Sequence, residues 1–329
     1  MEEWGAFGGE TVHRVAITDG ALSVHVITWG AVVQDVRLAG VDHPLVLGFD
    51  AFEPYPDHSP YFGAIAGRVA NRIDHGRFSV DGEEFQAATN PGSVHTLHGG
   101  PNAMGKRLWR VADRAADAVT LAITDPDGFN GFPGTVEARC TYRVVDGALH
   151  VTLEATTDRA TPVNLAHHTY WNLDGTDTVL DHRLTVAADR YSAVDDDFIP
   201  TGDTPDVGAT RFDFRDGPWL GDATERGVVD HNLIVGDARE RLREVARVKA
   251  GGLQLAVETT EPGCQVYAGH KLDVAVPGLD GRRYGRHAGL ALEPQVWPDA
   301  VNHAHFPEMV LRPAETYRQN SVFRLSRAG

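Results

Sequence analysis

This chain of 329 residues predicts an all-β fold, a large antiparallel β-sandwich. Three observations predict it. Apolar and polar residues alternate over long windows, the period of a strand whose successive side chains face opposite ways. Asp-Gly dipeptides stand at Asp19, Asp81, Asp127, Asp146, Asp174, Asp216 and Asp280, among 35 glycines and 18 prolines. Asp-Gly readily takes the positive φ angles of tight hairpin turns, so this recurrence implies many short strands. Long helical windows are scarce.

Taken in order, Asp19-Gly20 leads into Leu22, Val24 and Val26 on one face of a strand. Val119, Leu121 and Ile123 form another, running up to Asp125. Val136, Ala138, Cys140, Tyr142 and Val144 alternate with Glu137, Arg139, Thr141 and Arg143. After Asp146-Gly147, Leu149, Val151, Leu153 and Ala155 repeat the pattern, which makes residues 136–155 a β-hairpin. Residues 238–250 have some helical composition, but Val245, Val248 and the flanking glycines suit a strand as well. Leu253, Leu255 and Val257 form a further strand. Pro200 to Pro218 reads as a long functional loop. No linker or repeat divides the chain, so residues 1–329 are expected to form one domain of packed sheets.

The formal net charge is −16, with no clustered Lys/Arg footprint for nucleic acid or a membrane surface. No apolar run approaches the roughly 20 residues that span a bilayer, and the start, Met1 to Gly5, does not read as a secretory signal. Cys140 and Cys264 are expected to be free and buried, in a cytoplasmic protein. Monomer and homodimer both remain open.

Chemistry concentrates in a few polar segments. Asn164-Leu-Ala-His-His-Thr-Tyr-Trp-Asn-Leu173 sets two imidazoles among amides, a hydroxyl and aromatic rings, a mixture suited to a sugar. Imidazole is matched to proton transfer near neutral pH. His167 and His168, adjacent on a strand, must point to opposite faces, so one at most enters a given pocket. Glu293 follows Leu290-Ala-Leu292 at the end of an apolar strand. It is expected either to be a desolvated base of raised pKa or to pair with an arginine. Arg72 reads as a bidentate clamp or as an ordinary ion pair, and Asn71 as a hydroxyl ligand or a turn cap. His98 lies before Gly99-Gly100, whose missing side chains let backbone pass close to a ligand. Asp230 reads as a hydroxyl acceptor or a turn cap. His303, His305 and Glu308 have metal-like spacing, but Pro307 interrupts the strand that would carry them, and no metal or cofactor is expected. Nucleophile-elbow, P-loop and dinucleotide motifs are absent.

Taken together, Gly67-Arg-Val-Ala-Asn-Arg-Ile73, Leu97-His-Gly-Gly100, Asn164 to Leu173, Asp230-His-Asn232, Pro262-Gly-Cys-Gln265, Leu292-Glu-Pro-Gln295 and Pro298-Asp-Ala300 resemble the aldose 1-epimerases, or galactose mutarotases, in the family's order. The resemblance implies a sandwich of the galactose mutarotase type and interconversion of the α and β anomers of a free aldose. It implies that His168 is the general acid and Glu293 the general base, and that Asn71, Arg72, His98, Tyr170, Asp230 and Gln265 hold sugar hydroxyls or the ring oxygen. A bell-shaped pH profile follows, with Glu293 expected on its acid limb and His168 on its alkaline limb. The chain departs from the family's pattern at His167 (usually Asn), Met104-Gly105 (commonly Phe-Asp), His270 (often Asn) and Pro294 (commonly Thr), departures expected to change the pocket rim. A non-catalytic sugar-binding protein on the same scaffold is the alternative, disfavoured because both acid and base are retained. A phosphorylated sugar would need a basic cluster beyond Arg72, and none is visible in the sequence.

Overall fold

A computed structural model describes residues 1–328. Its largest element is an eight-stranded antiparallel sheet. In spatial order it comprises Arg110–Arg114, Ala118–Asp125, Val136–Val145, Ala148–Thr157, Tyr317–Arg327, Leu253–Thr259, Arg243–Ala250 and Arg183–Val186. The expected hairpin is its centre, with Val136 opposite Thr157 and Val145 opposite Ala148. Residues Asp146 and Gly147 turn it at φ 50° and 71°, the two positive angles that the right-handed twist of a tight hairpin favours. The ambiguous segment at 238–250 resolves as a strand, Arg243–Ala250, turned into the next by Gly251-Gly252.

A second, five-stranded antiparallel sheet comprises Tyr170–Trp171, Leu290–Gln295, Gly263–Tyr267, Asp230–Ile234 and Arg190–Tyr191. Four N-terminal strands, Glu2–Phe7, Glu10–Thr18, Leu22–Ile27 and Val32–Leu38, form a third. One buried apolar cluster joins all three. It takes Leu121, Tyr142, Leu153, Leu255 and Phe323 from the large sheet, Trp171, Leu233, Val266, Leu290 and Leu292 from the second, and Val15, Val24 and Val36 from the third. Both cysteines are free and buried. No helix among the described residues is long and apolar enough to cross a membrane.

Strand alternation creates the site. Leu290 and Leu292, Cys264 and Val266, and Leu233 face the core, so Glu293, Gln265 and Asp230 fall on the other face of the same sheet. Gln265 lies directly opposite Glu293, and Tyr267 opposite both Asp230 and Ala291. Ala291 is small and also lies opposite Tyr170, which leaves room for the rings of Tyr170 and Tyr267 to meet at 5.9 Å. Two short ribbons bring in the rest: Ala64–Ala66 pairs with Ala166–His168, and Arg72–Ile73 with Thr96–Leu97.

Candidate active site

The polar face of the five-stranded sheet and the two ribbons enclose a cleft of about 230 Å³. That is below the roughly 300–1,000 Å³ of pockets for drug-sized ligands and suits one small ring. All eight residues singled out from the sequence line it: Asn71, Arg72, His98, His168, Tyr170, Asp230, Gln265 and Glu293. Leu97 and Tyr267 line it too, with Pro60, Tyr61 and Lys271, which lie outside the segments the sequence marks. Tyr61 comes from the loop before Ala64–Ala66, and its ring lies 4.6 Å from that of His98 and 5.9 Å from that of His168. Only the pairing of that strand with Ala166–His168 places it there, and a contact across a hundred residues leaves no local signal.

His168 and Glu293 form the floor. His168 Nε2 is 3.4 Å from Glu293 Oε1. Glu293 is 2 % exposed and makes no arginine ion pair among the described residues, so the desolvated reading of this carboxylate holds. Burial lifts its pKa well above the ordinary value; the nearby Asp230 charge adds to this and Arg72 opposes it. Burial pushes the His168 imidazole the other way, down to about 4. The two groups thus compete for one proton, because the neutral pair and the imidazolium–carboxylate pair carry the same total. The limbs expected of Glu293 and His168 separately therefore belong in the free site to the coupled pair: the acid limb to uptake of a second proton, the alkaline limb to loss of the last.

The surrounding groups are held by hydrogen bonds. His98 Nδ1 accepts the Asn71 backbone N–H at 3.2 Å, so in the neutral ring the proton resides on Nε2. Burial, with His168 and Arg72 adding, keeps His98 neutral by holding its pKa well below 6.5. Gly99 serves a different contact from the expected one. A Cβ there would lie 2.5 Å from the Gly67 carbonyl oxygen and the Arg68 nitrogen, and φ is +86°. It therefore lets the His98 turn pass close to the protein's own backbone rather than to a ligand. Asn71 lines the cleft, and its Oδ1 accepts the Arg72 N–H at 2.9 Å. Arg72 makes no ion pair among the described residues; its Cζ lies 5.3 Å from the centroid of the Phe198 ring. Gln265 Nε2 donates to Asp230 Oδ1 at 2.6 Å, which leaves the second oxygen of Asp230 for a ligand. Tyr170 donates its hydroxyl hydrogen to the Pro60 carbonyl at 3.2 Å, so it offers a ligand its oxygen and its ring face.

Other expected positions fall outside the cleft. His167 points away from it, as alternation requires, into the core against Tyr142 and Phe323, with Nε2 2.7 Å from Thr169 Oγ1. Of the loop from Pro200 to Pro218, only Pro200 approaches, in a small recess behind Arg72; Val207, Phe212 and Phe214 are buried in the core. His303 and His305 do not gather with Glu308, whose Oε1 instead accepts the Val310 N–H at 2.8 Å. A separate group, Asp74, His75 and His95, has ligand atoms within 4.8 Å of one another. Hydrogen bonds account for it: His75 Nδ1 lies 2.7 Å from Asp74 Oδ1, and His95 Nδ1 accepts the His75 N–H at 3.0 Å.

The profile of the aldose 1-epimerase family matches residues 13–324. The chain belongs to that family. It is 40% identical to the galactose mutarotase of Homo sapiens, over 97% of this chain and 95% of that protein. It is 35% identical to the aldose 1-epimerase of Escherichia coli K12, over 91% of this chain and 90% of that one. Among solved structures, a Caenorhabditis elegans aldose epimerase homologue superposes with a TM-score of 0.91 at 32% identity, covering 97% of this chain and 100% of its own. A galactose 1-epimerase from Lactobacillus acidophilus gives 0.87 at 25% identity, covering 100% and 98%. Within this aldose 1-epimerase chain the departures from the family pattern prove not to line the cleft. His167 lies in the core, Met104 is buried against Gly67, Gly105 lies behind Tyr61, and Pro294 sits within the strand opposite Cys264. His270 stands outside, its ring 5.3 Å from that of Tyr267. The rim is set instead by Lys271, the residue after it.

Proposed function

We propose that the protein is an aldose 1-epimerase that interconverts the α and β anomers of a free aldose such as glucose or galactose, with His168 as acid and Glu293 as base. The observation that carries this reading is the 3.4 Å pair of imidazole and carboxylate at the floor of a cleft sized for one sugar ring. Mutarotation breaks the C1–O5 bond. The Glu293 carboxylate takes the proton of the C1 hydroxyl, the C1=O1 double bond forms, the C1–O5 electron pair goes to O5, and the His168 imidazolium protonates it. Rotation about C1–C2 presents the other carbonyl face. On closure Glu293 returns its proton to O1, and His168 recovers its own from O5. O1 and O5 share one carbon, so acid and base must lie side by side, as these do. No electrons or protons are left over, and every transfer is one these side chains can make.

His98 Nε2–H, the free oxygen of Asp230, Gln265, Asn71 and Arg72 are placed to hold the hydroxyls, and the faces of Tyr170 and Tyr267 to carry the ring. The two buried free thiols support a reducing compartment, the cytoplasm. Polarimetry on fresh α-glucose, α-galactose, xylose and arabinose tests the reading. The wild type should accelerate mutarotation of at least one, and His168→Asn and Glu293→Gln should each slow it by about 10²–10⁴-fold. No acceleration on any of the four would move the weight to a sugar-binding protein without catalysis, and near wild-type rates for Glu293→Gln would overturn its assignment as the base.

A further inference from the structure

We infer that the cleft accepts an aldose bearing an anionic group, a phosphate monoester or a carboxylate, which Lys271 and Arg72 hold at its mouth. The inference rests on the mutarotase reading and names a substrate class for the same site. Of the chain's 30 basic residues only Lys106, Lys249 and Lys271 are lysines, and one of these three stands at the cleft. Lys271 lines it. Lys106 lies behind its wall, with Nζ 5.2 Å from the centroid of the Tyr61 ring.

Phe198 gathers the cations. Lys271 Nζ lies 5.1 Å and Arg72 Cζ 5.3 Å from the centre of this one ring, a distance at which a cation is attracted to the aromatic face. The ring's own loop is braced: Asp195 Oδ1 accepts the N–H groups of Asp197 and Ile199, both at 2.9 Å. Neither cation has an ion-pair partner among the described residues. None of the acidic groups nearby pairs with either cation: Asp230 is bonded to Gln265, Glu293 is paired with His168, and Asp197 faces His95 at 3.8 Å. Counted over its lining, with the His168–Glu293 pair sharing one proton, the cleft carries Lys271 and Arg72 against Asp230, one positive charge in excess in a molecule of net charge −16; Asp195, Asp196 and Asp197 of the Phe198 loop do not line it. A neutral hexose gives that charge no partner. A phosphate or carboxylate does, and the compact ammonium of lysine acts toward such an anion as a point charge. The reacting carbon belongs at the floor, against His168 and Glu293, so the anion is carried on the end of the sugar that faces outward.

Mutarotation rates on glucose, glucose 6-phosphate, galactose and galacturonate test this, each started from the α-anomer and corrected for the spontaneous rate. The expected wild-type kcat/KM on at least one anionic sugar equals or exceeds that on its neutral parent. Lys271→Gln should lower the anionic-to-neutral ratio at least tenfold. Lys249→Gln, on an exposed strand position of the large sheet, removes the same charge elsewhere and should leave the ratio unchanged. The two arms separate phosphate from carboxylate. A ratio that Lys271→Gln does not move, or neutral sugars turned over with both anionic sugars refused, overturns the inference and leaves the mutarotase reading standing. Failure on all four sugars overturns that reading itself.

Discussion

At the scale of the residue, the site spends stability on reactivity. His168 and Glu293 are both held in surroundings that disfavour their charged forms, one pushed down and the other up. The active pair carries one proton in total. Below the acid limb it gains a second and has no base; above the alkaline limb it loses the last and has no acid. The expected kcat/KM profile is therefore a bell, and both limbs belong to the coupled pair. Glu293→Gln should replace the bell by a single titration, with loss of most of the rate. The same variant should be more stable. A carboxyl whose folded pKa is raised destabilises the fold above its unfolded value near 4.5, increasingly so until the pH passes the folded pKa. Glutamine removes that penalty, so the variant should melt at a higher temperature than the wild type at pH 7 and show little difference at pH 4. A lower melting temperature at pH 7 would mean that the Glu293 carboxyl stabilises the fold.

At the scale of the element, the site depends on a segment whose anchor the sequence did not reveal. In Gly67 to Ile73 the reading singled out Asn71 and Arg72, yet Arg68 is the structural member. It is 1 % exposed; its Nε donates to Asp125 Oδ2 at 2.8 Å, and its Nη1 donates to the carbonyls of Pro133 and Gly134 at 2.8 and 2.9 Å. This ties the segment carrying Asn71 to the end of the strand Ala118–Asp125. Removing one partner of a buried, hydrogen-bonded ion pair costs about 3–5 kcal/mol. Asp125→Ala should lose stability on that order by urea denaturation, while replacement of exposed Asp113 should change it by under about 0.5 kcal/mol. What the sequence made legible follows the same division. The hairpin at 136–155 and the strand at 253–257 were readable because alternation and turn chemistry are local. The opposite faces of His167 and His168 followed from the two-residue period alone. Tyr61, Phe198, Lys271 and the Arg68–Asp125 tie were not readable, because each depends on a pairing between distant segments that no local pattern encodes. Gly99 was read as making room for a ligand, and only the approach of Gly67 reveals that it makes room for backbone.

At the scale of the whole molecule, buried histidines set the response to acid. His167, His182 and His231 are buried, and burial depresses their pKa values to about 3, about 4 and about 3. They are distributed through the fold: His167 lies between Tyr142 and Phe323, His182 accepts the Leu173 N–H at 2.9 Å, and His231 packs on Phe212 at 4.2 Å between ring centres. Each stays neutral in the folded state while its unfolded counterpart, near 6.5, takes up a proton. Stability is therefore full above about pH 6.5 and falls as the pH drops toward the folded values, where the loss levels off. Carboxylates lifted by burial, such as Asp299 at about 6, act in the opposite sense, since a raised folded pKa favours the folded state as the pH falls. The histidines prevail between pH 6.5 and 5 because these three, together with His98 and His168 of the cleft, titrate there in the unfolded chain alone. A histidine shifted from 6.5 to about 3 loses about 2 kcal/mol of stability between pH 7 and pH 5. His167→Asn places at this position the amide common in the family and removes one such group. Its urea-unfolding free energy should fall by about 2 kcal/mol less than that of the wild type over this interval, with mutarotation retained because the side chain faces the core and not the cleft. An equal acid loss in the variant would show that His167 does not titrate on unfolding, and the acid response would then rest with the other buried histidines.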